Sequence, residues 1–213
     1  MSKFIDALSD VGHPFSEGMG FGPRLKRSSG GSSILLAGQV TLQQLAKNPD
    51  LAEAQVDALL LCIDSWDEAN LDKVKAYLKE CVWGVQLDNV DADQARWLKD
   101  KGCDFIVFNA ENTEVAVLDD EDMGKVISIA GDLDEDVVRA INDLPIDAAF
   151  LASDQDLKPV TVAKLIRIQS IRGPLDMPFV MAAPSDLSVK ELEALKNADI
   201  VGLSVKLSSL DEV

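Results

Sequence analysis

A chain of 213 residues, 47% hydrophobic and 27% charged, has ordinary globular composition and is long enough for one sizeable core. Asp and Glu outnumber Lys and Arg by 37 to 20, a net charge of −17, which repels a phosphate backbone and an anionic bilayer and argues against nucleic-acid and membrane partners. No apolar run approaches the roughly 20 residues that span a bilayer. MSKFIDALSD carries acids where a secretion signal is apolar, and Cys62, Cys81 and Cys103 form no CxxC pair or zinc spacing. A reduced, cytoplasmic protein is the expectation.

In chain order, residues 3–11 (KFIDALSDV) predict a helix presenting Phe4, Ile5 and Leu8. The stretch that follows is rich in Gly, Ser and Pro and carries His13, Arg24, Lys26 and Arg27. It reads as a connector more readily than as a lid or anion clamp. Eight short apolar runs come next: 32–39, 57–64, 82–88, 104–109, 125–132, 147–154, 178–185 and 199–206. Their apolar character is continuous rather than alternating, as in strands buried on both faces. Between them, 68–79, 134–141, 160–171 and 188–195 space their apolar residues as helices do, with Ser188 placed as an N-cap. The fourth connection, after Asn109, offers at most one short helix before the acidic run 119–122. Trp66, Trp83 and Trp97 are expected between helices and sheet, with Trp66 a candidate to line a mouth.

Alternating strands and helices imply βαβ units and a parallel sheet. Most strand starts lie 21 to 25 residues apart, as one repeated unit requires. A count of eight, and a lone Gly38 where a GxGxxG turn would stand, favour a closed (β/α)8 barrel over an open doubly wound parallel sheet. The division is an N-terminal helix and Gly/Ser-rich segment over 1–31, then a single barrel-like domain over 32–213. After the eighth run only LSSLDEV remains, with Ser209 as a helix start, so the last helix is expected to be missing or truncated. The N-terminal helix, or a neighbouring subunit in a homo-oligomer, is expected to cover the flank left bare between strands eight and one.

Barrel enzymes carry their reactive groups at the C-terminal ends of the strands. Those ends hold Gln39, Asp64, Gln86, Asp88, Asn109, Glu111, Asp132, Asp154, Ser185 and Lys206. The even runs begin at Asp57, Asp104, Asp147 and Asp199, and seven residues on come Asp64, Glu111, Asp154 and Lys206. These four are the candidate catalytic residues, with Gln39, Gln86, Asn109 and Ser185 as substrate-binding groups. Clustered carboxylates, with Asp88 and Asp132 added, suit Mg²⁺ or Mn²⁺. The competing assignment makes Asp64, Asp88 and Asp132 helix caps. No glycine-rich phosphate loop follows strands seven or eight, which disfavours a phosphorylated substrate. With His13 the single histidine, far from the mouth, no Ser/His/Asp triad forms there.

KGCDFIVFNAE (101–111) and NADIVGLSVK (197–206) resemble what (β/α)8 barrels show before their even strands. The resemblance extends from about Ser32 to the end, at the level of the fold. It implies an enzyme more often than not. The two functional expectations are a metal- or carboxylate-assisted lyase, aldolase or isomerase acting on a small non-phosphorylated polar metabolite, and a non-catalytic barrel that binds or assembles.

Overall fold

The computed structural model describes residues 2–12, 34–78, 80–131, 133–152 and 157–207. All eight apolar runs form strands: β1 Leu35–Thr41, β2 Ala58–Cys62, β3 Trp83–Leu87, β4 Phe105–Asn109, β5 Gly124–Ile129, β6 Ala148–Leu151, β7 Phe179–Ala182 and β8 Gly202–Lys206. Each pairs in parallel with its neighbours in sequence, and β8 closes onto β1. The sheet is a closed barrel, not an open doubly wound one.

Seven helices stand among the described residues: α1 Lys3–Gly12, α2 Leu42–Lys47, α3 Glu68–Lys75, α4 Ala92–Asp100, α5 Glu135–Asn142, α6 Val162–Arg172 and α7 Val189–Asn197. Asp67 and Asp91 cap α3 and α4, Thr161 caps α6 and Ser188 caps α7. Asp64 and Asp88 are therefore not the caps of the helices that follow them. Thr41–Gln44 and Asp91–Gln94 form complete capping boxes at the heads of α2 and α4, a signal readable in the sequence. The fourth connection holds one short 3-10 turn, Val115–Asp119. Its acids are held from below: Lys99 of α4 pairs with Asp120 at 2.9 Å and Asp122 at 3.0 Å. Trp66 meets Trp97 edge-on at 5.3 Å, and the Trp97 indole donates to Glu68. Trp66 thus belongs to the packing around α3 and α4 and not to the mouth. No described helix is long and apolar enough to cross a membrane.

Side-by-side residues of a parallel sheet point the same way. Following the pairing round the barrel sorts the inward residues into layers of four from alternate strands, as barrel closure requires. The lowest is Ala58, Phe105, Ala148 and Gly202. Above it come Ala37, Gly84, Val126 and Val180, then Leu60, Val107, Phe150 and Ser204. Their packing leaves a void of only about 10 Å³, so the lumen is a core and not a pore.

Phe105 takes up much of the lower lumen, and its neighbours yield to it. A Cβ on Gly84 would lie 2.6 Å from the Phe105 ring, and one on Gly124 would lie 2.9 Å from Phe105 Cβ. From below, Phe4 of α1 stacks on Phe105 with ring centroids 4.2 Å apart, and Leu8 is fully buried in the same cluster. Asp104, immediately before β4, receives the head of α1. Its carboxylate accepts the Ser2 hydroxyl at 2.7 Å and the N–H groups of Lys3 and Phe4, each at 2.9 Å. The N-terminal helix therefore plugs the bottom of the barrel. This corrects the expectation that it covers the β8–β1 flank: aromatic stacking in the lumen and a carboxylate at its N-terminus draw it underneath.

The other aspartates that open even strands also tie backbone at this lower face. Asp57 accepts the Leu36 N–H and Asp147 the Lys125 N–H, both at 2.8 Å. Asp199 instead adopts a left-handed backbone, φ 58°. On the β8–β1 flank no helix follows β8 among the described residues, and Leu207 lies over Gly38, where a Cβ would come within 2.6 Å of its Cδ1. His13, the basic residues of the connector and the helix start at Ser209 lie outside the described residues.

Phe4→Ala should cost about 3–5 kcal/mol in urea unfolding, since it empties a stacked, buried site; a loss under about 1 kcal/mol would mean that α1 does not seat in the barrel.

Candidate functional site: the polar mouth

Above the Leu60–Val107–Phe150–Ser204 floor the lumen changes character. The next layer is Gln39, Gln86, Ser128 and Ala182, and the one above it Cys62, Asn109, Ala152 and Lys206. Six polar side chains thus converge from six strands, while β6 and β7 contribute only alanines. The polar arc runs from β8 through β1 to β5, and the opposite wall is small and apolar.

Of the residues expected from sequence, the register brings together Gln39, Gln86, Asn109 and Lys206. Gln39 is only 8% exposed and stands beside Lys206 across the β1–β8 pairing. Asn109 accepts the Glu111 N–H at 3.0 Å through its Oδ1, which turns the chain over the rim. Asp64 and Glu111 are exposed and stand two residues beyond the ends of β2 and β4, two layers above Lys206. The seven-residue spacing from the opening aspartates therefore does not bring all four catalytic candidates level. β2, β4 and β6 start one residue after their Asp, whereas β8 starts three after Asp199. Asp88 is exposed past the end of β3, and Ser185 is exposed three residues past β7, in the turn before α7. Asp132 and Asp154 lie outside the described residues. Among the described residues no three His, Cys, Asp or Glu side chains group to hold a metal ion.

Two members of the mouth carry no signal in the sequence beyond their place on an inward register: Cys62 and Ser128. The Cys62 thiol faces Gln86 Oε1 at 3.6 Å. Burial first, then the nearby Asp64 carboxylate, push it up to about 11, with Lys206 opposing. It is a neutral thiol at physiological pH, as a group poised for nucleophilic attack is not. Asp64 follows β2 and Lys206 ends β8, the two strands that pair with β1 on either side of Gln39.

The β7–α7 turn bears on which ligands fit. Glu191 of α7 accepts the Ser188 N–H at 2.9 Å, the Ser188 hydroxyl at 2.7 Å and the Val160 N–H at 3.1 Å. These bonds, the Ser188 hydroxyl first, hold its carboxyl at about 2. A carboxylate of the protein's own thus caps the N-terminus of the helix after β7, beside one of the two loops with which phosphate-binding barrels hold an anion.

The alpha-subunit of tryptophan synthase from Pyrococcus furiosus superposes with a TM-score of 0.64 at 12% identity, covering 81% of this chain and 86% of that one. A 3-keto-L-gulonate-6-phosphate decarboxylase from Vibrio cholerae gives 0.61 at 13%, covering 81% and 88%. The HpcH/HpaI aldolase of Desulfitobacterium hafniense gives 0.57 at 13%, covering 82% and 86%. The chain has the TIM-barrel fold. No family model and no curated protein matches its sequence.

Alkylation of Cys62 by iodoacetamide, followed by peptide mass mapping, should be about a hundredfold slower at pH 7.5 than that of an unperturbed cysteine and should rise toward pH 11, since the thiolate is the reacting form. A plateau reached below about pH 9 would contradict this placement of the thiol.

Proposed function

We propose that the chain is an enzyme of the lyase, aldolase or isomerase type, acting in the barrel mouth on a small, polar, non-phosphorylated metabolite. The observation that carries this reading is the two-layered polar arc, set on an apolar floor and holding Lys206 as its cation. Gln39, Gln86 and the Asn109 NH2 group offer donors and acceptors to hydroxyl and carbonyl oxygens. Lys206 supplies positive charge beside the place where an oxyanion would develop, in a site partly shielded from water. Asp64 and Glu111 stand above as proton acceptors. In the cleavage of a β-hydroxy carbonyl compound, Asp64 takes the hydroxyl proton and the carbon–carbon bond breaks. The released electron pair moves onto the carbonyl oxygen as an enolate held by Lys206, and reprotonation at carbon completes the step. A shared enolate intermediate serves an isomerase equally. Support for a non-phosphorylated substrate comes from Glu191, whose charge repels a phosphate at the β7–α7 turn. The TIM-barrel enzymes that share the fold agree with an enzyme but specify no substrate.

The test is a thermal-shift panel of small hydroxy and keto acids and sugars, each run with and without Mg²⁺ or Mn²⁺. A ligand at about a hundred times its dissociation constant adds roughly 2.7 kcal/mol to the folded state. The hit should be lost in Lys206→Met, with the variant's own melting temperature little changed because Lys206 is exposed. With that hit as substrate, Asp64→Asn should lower kcat by about 10²–10⁴, as expected for removal of a general base. A panel without hits, or a hit indifferent to Lys206→Met, would favour the alternative of a barrel that only binds or assembles.

A further inference from the structure

α6 differs from the helices around it. It carries Lys164, Arg167 and Arg172 and no acid, in a chain with 37 acids. Ile168 and Ile171 are buried toward the sheet, yet Val162 and Ile166, one turn apart, stand 74% and 61% exposed. A helix apolar on both sides is the kind that is covered on both sides. The preceding helix, α5, is its electrostatic complement. Asp134, Glu135, Asp136 and Asp143 surround a single base, Arg139, and the exposed apolar residues here are Val137 and, just past the helix end, Leu144. The two helices are tied at their lower ends, where the Asn142 side chain donates to Pro174 O at 2.9 Å and accepts the Asp176 N–H at 3.1 Å.

We propose that the α5–α6 face joins two copies of this chain about a twofold axis that runs between the two helices and along them. Rotation about that axis exchanges α5 with α6, so the acidic helix of each copy meets the basic helix of the other. An axis lying across the helices would set α6 on α6 and cation against cation, which opposes association. Val162, Ile166 and Val137 supply the apolar centre, with Asp136 of one copy facing Arg167 of the other. The exposed Asp136–Arg139 pair within α5, at 3.2 Å, offers little resistance to re-pairing, since exposed pairs contribute at most about 1 kcal/mol. This contact replaces the β8–β1 flank as the place of association and does not depend on the chemistry of the mouth.

The test is sedimentation velocity on the full chain between about 1 μM and about 300 μM, where an interface two short helices wide should assemble. A reversible monomer–dimer equilibrium is expected. Ile166→Glu should weaken it at least about tenfold, as an unpaired charge in an apolar interface centre does. Arg167→Glu should weaken it too, and adding Asp136→Arg to the same chain should restore it. Far-UV circular dichroism checks that each variant folds; should Ile166→Glu fail to fold, the charge exchange carries the test. A monomer at every concentration overturns the proposal. So does a dimer unmoved by Ile166→Glu, which would point to another face, or a dimer weakened by Arg167→Glu that the exchange does not restore.

Discussion

Eight strands wound into a closed sheet leave a lumen that must be filled, and here the filling hangs on one aromatic contact. Phe105 reaches across the lower lumen because Gly84 and Gly124 stand beside it without side chains. Phe4 then stacks beneath it, and Asp104, next to Phe105 in sequence, holds the head of the helix that carries Phe4. One strand start thus supplies both the plug's partner and its anchor. Closing the lower end leaves the upper end as the open one. That is also where strand ends, helix N-termini and their polar loops gather in this fold.

The same closure decides what the mouth can be. Leu60, Val107 and Phe150 make a largely apolar floor, with the buried Ser204 hydroxyl its one polar group, and the polar side chains stand in the layers above. Those layers are lopsided: amides, a thiol, a hydroxyl and an ammonium on one arc, alanines on the other. On the proposed reading, such a site would orient a small molecule with its oxygens toward β8, β1 and β3 and its carbon skeleton toward β6 and β7. The depressed carboxyl of Glu191 matters beyond the mouth because it also joins the head of α7 to Val160. Its bonds favour the folded state above the ordinary glutamate range near pH 4.3. That contribution is lost as pH falls toward its own value of about 2.

The strands were legible because burial on both faces leaves continuous apolar runs, and all eight of those runs are strands. The helix at 3–11 was legible from Phe4, Ile5 and Leu8, but not its destination. An amphipathic pattern says that a face is buried, not against what. Gln39, Gln86, Asn109 and Lys206 were legible as strand ends. Cys62 and Ser128 were not, because only the register of the closed sheet shows that they point inward. The even spacing that placed Lys206 level with Asp64 failed for a local reason: Asp199 turns left-handed and β8 begins two residues later than its counterparts. α2 and α4 went unread although their capping boxes stood in the sequence, and α2, at six residues, is too short to show a helical period.

The most direct test of the polar mouth as a ligand site is nitrogen-15 NMR of the side-chain amide groups, titrated with a small β-hydroxy acid. The account predicts saturable shifts of the Gln39, Gln86 and Asn109 NH2 resonances, with those of Asn142 and Gln169, far from the mouth, unmoved. Shifts confined to residues outside the barrel mouth, or none across the whole panel of small polar acids and sugars, would contradict it.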